Sequence, residues 1–231
     1  MPGLKAVTLG DGRLTAMHGG GNAPAARIAA ALDRAGIMDR ATRNGRYSGV
    51  QRLEAGRTVL VFDAGPPPVA RASTWAHAGT LAFEMSDGAQ RLVVNCGGAS
   101  GLAKPLHADL AAGLRTTAAH STLVLADTNS TRIREDGTLG RGIEEVVMAR
   151  RESEEGQWVE ASHDGYVRRH ALVHRRSLYL SADGLDLRGE DALEAPQGKV
   201  SRKMAGQRFD VRFHLSPDVE ATPTADGQGA L

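Results

Sequence analysis

The sequence predicts an all-β protein, an antiparallel β-sandwich or multi-sheet β domain preceded by one short helix. Three observations carry that expectation. Short alternating or apolar runs follow one another from residue 47 to 217. Polar turns separate them about every ten residues, the spacing of sandwich strands. The length of 231 residues suits a single all-β unit, and a 41% hydrophobic content is enough for a core. Aromatic residues make up only 4%, so Leu, Val and Ala must fill much of that core.

Residues 1–22 are Gly-rich and weakly patterned, and Gly19-Gly20-Gly21 reads as a flexible loop. The run APAARIAAALDRA, residues 23–35, places Ile28, Ala31, Leu32 and Ala35 on one helical face, and Gly36 is its stop signal. Residues 1–44 thus read as a linker with a short helix. YSGVQRLEAGRTVLVFDAG gives two strands about Ala55-Gly56. GPPPVARAS must be a loop, because proline cannot donate to a sheet ladder. TLAFEMS and QRLVVN form a hairpin with its turn at Asp87-Gly88. A turn of helix is expected in HADLAAGL and a strand in HSTLVLAD. TNSTRIREDGTLGRG is a polar loop. Five further strands follow in IEEVVMARRES, QWVEASHDG, YVRRHALVHRRS, LYLSADGLDLRG and QRFDVRFHLSP. The β domain spans 45–217, and residues 218–231 read as a truncated or disordered tail.

With 28 basic and 27 acidic residues the net charge is +1, which gives no argument for a nucleic-acid partner. Cys96 stands alone, so no intrachain disulfide can form, and it reads as a small buried residue. No run reaches the roughly 18 apolar residues of a membrane span. The N-terminus has no signal-peptide core, so the residues alone suggest a soluble cytoplasmic chain. Phosphate-cradling loops, nucleophile elbows and short zinc motifs do not occur.

The histidines offer the chemistry. His77 opens one predicted strand, Asn95 closes its partner and His120 opens another, so all three can meet at one sheet edge. Two imidazoles and an oxygen donor, with water in fourth place, suit Zn²⁺. The alternative is that each histidine bonds a nearby backbone group. Farther on, Arg168, His170, His174 and Arg176 share parity on one predicted strand. They read either as a face for an acidic sugar or as an ordinary solvated sheet face.

His77-Ala78-Gly79, Leu81-Ala82-Phe83-Glu84, Val94-Asn95-Cys96-Gly97 and Ala119-His120-Ser121-Thr122-Leu123 occur in that order. With GYVRRHALVHRRSLYLSADGLDLRGED, RFHLSP and the entry YSGVQRLE, they resemble the C-terminal region of the heparinase II/III family. The resemblance covers about residues 45–217. It implies a C-terminal β-sandwich of a polysaccharide lyase, a protein that cleaves uronic-acid polymers by β-elimination in the bacterial cell envelope or periplasm. It also implies an N-terminal α/α toroid that supplies the catalytic Tyr. That toroid is missing from this chain, so it is expected in a separately encoded partner or a longer protein, and this chain alone is expected to be inactive. The family's structural Zn²⁺ maps onto His77, Asn95 and His120. Asn95 stands where the family pattern has Asp. Trp75 stands where better-known lyases have an active-site His, and Gly79 where they have an acidic residue. These departures favour the alternative of a non-catalytic module that binds carbohydrate or a partner protein.

Overall fold

A computed structural model describes residues 2–20, 23–37, 41–45, 48–100, 102, 104–196 and 206–229. Arg46 and Tyr47, at the start of the predicted first strand, and Gly21 lie outside them. The described strands are β1 (Val50–Ala55), β2 (Thr58–Asp63), β3 (Phe83–Asp87), β4 (Gln90–Val94), β5 (Leu123–Leu125), β6 (Val146–Glu152), β7 (Gly156–His163), β8 (Val173–Ser181), β9 (Leu187–Glu194), β10 (Phe209–Val211) and β11 (His214–Leu215). The helices are α1 (Pro2–Ala6), α2 (Ala25–Arg34), α3 (Ala108–Gly113) and α4 (Val167–His170).

One antiparallel sheet runs β1-β2-β3-β4-β11 and a second runs β6-β7-β8-β9, while β10 pairs with β5. The two large sheets pack face to face, as the all-β expectation requires. Leu53, Leu60, Phe62 and Phe83 of the first, with Leu81 from the turn before β3, meet Val159, Ala161, Leu178 and Leu180 of the second. A smaller core of Leu123, Leu125, Tyr166 and Leu172 fills the end near β5. Every residue of β2 is buried. Its second face is covered by the N-terminal segment, where Leu9 packs with Val59 and Val61. A strand covered on both faces loses its polar alternation, which explains the unbroken run TVLVF.

The helix at 25–34 ends as Gly36 suggests. Gly36 has φ +62°, its N–H donates to Asp33 O, and the Ile37 N–H reaches back to Leu32 O. That pair of bonds is a Schellman cap. The β3–β4 hairpin turns one residue later than predicted. Asp87 still pairs with Gln90, so the two-residue loop is Gly88-Ala89, with φ +53° at Gly88.

The segment from Tyr166 departs further from expectation. The predicted single strand is a helical turn, Val167–His170, followed by β8 from Val173. The chain must reverse between β7 and β8, and Ala171 does so at φ 58°. Tyr166 anchors the corner by donating its hydroxyl to Leu123 O at 3.0 Å. Alternation read through this corner was two patterns, not one.

Candidate functional site

His77 and His120 do meet. Neither begins a strand: His77 lies in the loop before β3, and His120 follows a short 3-10 turn, Thr117–Ala119. His77 Nδ1 lies 3.2 Å from His120 Nε2, both rings are buried, and they stand edge to face. His120 Nδ1 donates to Thr116 O at 2.7 Å. The neutral His120 ring therefore offers Nε2 as acceptor, and the His77 Nδ1–H donates to it. Burial, with His120 beside it, pushes the His77 pKa down to about 3. Burial likewise pushes His120 down to about 4. Both rings are neutral at pH 7.

The 3.2 Å separation also approximates the nitrogen–nitrogen edge of a tetrahedral zinc site. Bonds of about 2.0–2.1 Å put that edge near 3.3 Å. The third corner fails. Asn95 Oδ1 accepts the Ser121 backbone N–H at 2.8 Å, and its Nδ2 donates to Glu84 Oε1 at 2.9 Å. Both ends of the amide are engaged with the protein. Among the described residues no three His, Cys, Asp or Glu side chains come together as a metal set. The donor set stops at two imidazoles and does not fit a three-ligand zinc centre.

Glu84 explains why Asn95 is held this way. It is fully buried, and burial pushes its carboxyl up to about 7 against the bonds from Asn95 and the Ala16 N–H. Arg91 Nη1 stands 3.7 Å away. An aspartate at 95 would place a second acid beside Glu84 and remove the amide donor. Gly79 has an equally local reason. A Cβ there would lie 2.5 Å from His120 Cδ2, so the imidazole occupies the space an acidic side chain would need. Trp75 is 73% exposed at the rim of a cavity of about 210 Å³, where His77 and Arg115 also contribute to the wall.

The N-terminal segment supplies what the sequence reading missed. His18 Nε2 sits 3.1 Å from Asp63 Oδ2, and the Asp63 charge raises the His18 pKa. Gly19, read as part of a flexible loop, is packed so that a Cβ would come 2.9 Å from His77 Nε2. The signal was Met17-His18-Gly19, two successive residues in left-handed backbone, which a Gly-rich count does not reveal. Cys96, expected to be buried, is exposed.

The four residues read as one sugar-facing strand do not share a surface. His174 and Arg176 are 0% and 1% exposed and point between the sheets. Arg168 and His170 lie on α4, where His170 Nε2 meets the Thr128 hydroxyl at 3.2 Å. Inside, Gly165 N–H donates to His163 Nδ1, which leaves His163 Nε2–H to donate to His174 Nδ1 at 3.3 Å. His174 Nε2–H then donates to Asp191 Oδ1 at 2.7 Å. Arg176 forks onto both Asp191 oxygens at 2.8 Å. Burial works against the Asp191 charge, but the His174 and Arg176 bonds hold its pKa down at about 2. The Arg176 Nη1 also donates to Leu81 O and Ser121 O. One buried guanidinium thus ties the second sheet to the loops that carry His77 and His120.

Residues 37–231 match the family described as heparinase II/III-like, C-terminal. The chain belongs to the heparinase II/III-like family. Its fold agrees with the heparan sulfate lyase HepC of Pedobacter heparinus, at TM-score 0.65 and 15% identity, covering 94% of this chain and 34% of that one. It agrees equally with the heparinase III-BT4657 gene product, at TM-score 0.66 and 15% identity over 96% of this chain and 34% of the other. Among curated proteins, FtsZ-localized protein C of Caulobacter vibrioides (strain NA1000 / CB15N) is 36% identical over 96% of this chain. This heparinase-like chain spans 39% of the length of that relative. No helix among the described residues is long and apolar enough to cross a membrane.

Proposed function

We propose that this chain is a non-catalytic β-sandwich module of a heparinase-like protein, and that it serves to bind a partner protein. The carrying observation is Asn95. Its amide bonds Glu84 and Ser121 in place of a metal, so the family's metal position has become a hydrogen-bonded plug. Two further features support the reading. The His77–His120 pair is closed on itself with both rings neutral, and a β-elimination base would need a pKa near its working pH. Gly79 and Trp75 put no acid or imidazole at the two positions where better-known lyases carry them, and His18, which stands beside the pair, is engaged with Asp63. The relative at 36% identity is named for its localisation with FtsZ and not for a reaction. We therefore infer that this chain works alongside FtsZ, not on an envelope polysaccharide.

The rival reading keeps the chain as the β domain of a uronan lyase, with zinc at His77, Asn95 and His120 and a toroid supplied elsewhere. Two assays separate them. The purified chain is expected to carry no stoichiometric zinc and to release no ultraviolet-absorbing unsaturated uronide from heparan-type or alginate-type polymers. It is also expected to co-sediment with FtsZ polymers. Zinc lost on His77→Ala, together with measurable uronide release, supports the lyase reading instead.

A further inference from the structure

Among the described residues many arginines are ion-paired, while four that line one groove are not. Arg13 and Arg91 share Asp11. Arg175 holds Glu160, Glu190 and Glu194, and Arg176 holds Asp191. Arg188 pairs with Asp186 and stacks on Tyr179. By contrast, Arg132, Arg141, Arg168 and Arg169 line one groove of about 610 Å³. All four are exposed, and none makes a side-chain hydrogen bond or ion pair among the described residues. Two acids, Glu144 and Asp164, share the groove. Asp164 is occupied in holding the Glu144 and Glu145 backbone N–H groups.

We propose that this groove binds an acidic peptide segment of a partner protein. Unpaired guanidinium forks match carboxylates two bonds at a time, and they are weakly hydrated enough to be desolvated at an interface. The neutral polar groups of the groove face inward. Asn129 Oδ1 accepts the Thr117 N–H, and Ser130 Oγ meets the Thr117 hydroxyl. No aromatic side chain lines the groove. It therefore offers carboxylate receptors but no ring to stack a sugar. An adjoining hollow of about 460 Å³ shares Arg141 and is walled by Pro66, Pro67, Pro68 and Val69. Val69 is 64% exposed. Carboxylates beside apolar side chains are what a peptide presents and a uronan does not. The inference rests on the binding-module reading and gives its partner a chemistry.

The test is fluorescence anisotropy with a labelled hexapeptide of four glutamates and two leucines. Saturable binding is expected, weakening at least about ten-fold in Arg141→Glu/Arg168→Glu/Arg169→Glu. The milder Arg168→Gln/Arg169→Gln pair, checked for an unchanged melting temperature, should weaken it in the same direction. An unlabelled oligouronate of equal charge and inorganic phosphate are the competitors, and each should displace the peptide poorly. No binding, equal binding by the variants, or preferential binding of the uronate through the same arginines would each overturn the proposal. None of these outcomes alters the zinc and uronide readouts that test the non-catalytic reading.

Discussion

At the scale of single residues, the family position at 95 was legible in the sequence, but its consequence was not. The order of His77 and His120 showed which two imidazoles would meet. Glu84, which makes an amide the better neighbour, looked like an ordinary polar strand residue. Its burial comes from the N-terminal segment, whose Ala16 N–H it accepts. Gly79→Ala tests the packing half of this account. Its Cβ must displace the His120 ring, and a loss of about 1–3 kcal/mol is expected in urea denaturation. Glu84→Gln tests the electrostatic half. The folded pKa near 7 lies above the ordinary 4.5, so Glu84 favours folding below about pH 4.5 and loses that contribution as pH rises through 7. The variant should therefore exceed the parent in stability at pH 8 by about 1–3 kcal/mol, with the gap closing toward pH 4.5. Parallel pH profiles for the two proteins would remove Glu84 from the account.

At the scale of elements, strands with one buried face were readable and corners were not. The β8 strand alternates buried and half-buried residues along its length, as the period-2 pattern requires. What parity could not say is which face is inner, because the inner face starts with His174 and Arg176 before Leu178 and Leu180. Polar residues usually mark solvent, yet here they form a fully bonded network between the sheets. Removing one member should be costly. Arg176→Ala leaves Asp191 buried beside His174 and frees Leu81 O and Ser121 O. A loss of about 3–5 kcal/mol is expected from chemical denaturation, against less than about 1 kcal/mol for the exposed Arg168→Ala. Similar small losses at both positions would mean that the guanidinium does not tie the sheets together.

At the scale of the whole molecule, the sandwich was predictable because alternation, turns and length all agreed. The N-terminal contribution was not, since its Gly-rich stretch carries no period. Residues 7–17 nonetheless complete the core beside β2 and seal Glu84. The same region brings His18 to Asp63 beside the histidine pair. Acid should expose that arrangement. His77 and His120 fold with pKa values near 3 and 4 against an ordinary 6.5. Their contribution is whole above about pH 6.5 and is lost as pH falls toward 4 and 3, so acid unfolding should begin inside that window. His120→Gln should shift its onset to lower pH. If the Asn95 amide has taken the place of a metal, metal analysis of the purified parent and of Asn95→Asp will show it. No stoichiometric zinc is expected in the parent. The variant is expected to be destabilised, with a melting temperature that recovers when zinc is added, as the carboxylate completes a two-histidine, one-aspartate set. One tightly held zinc per parent chain, lost on His77→Ala, would contradict that replacement.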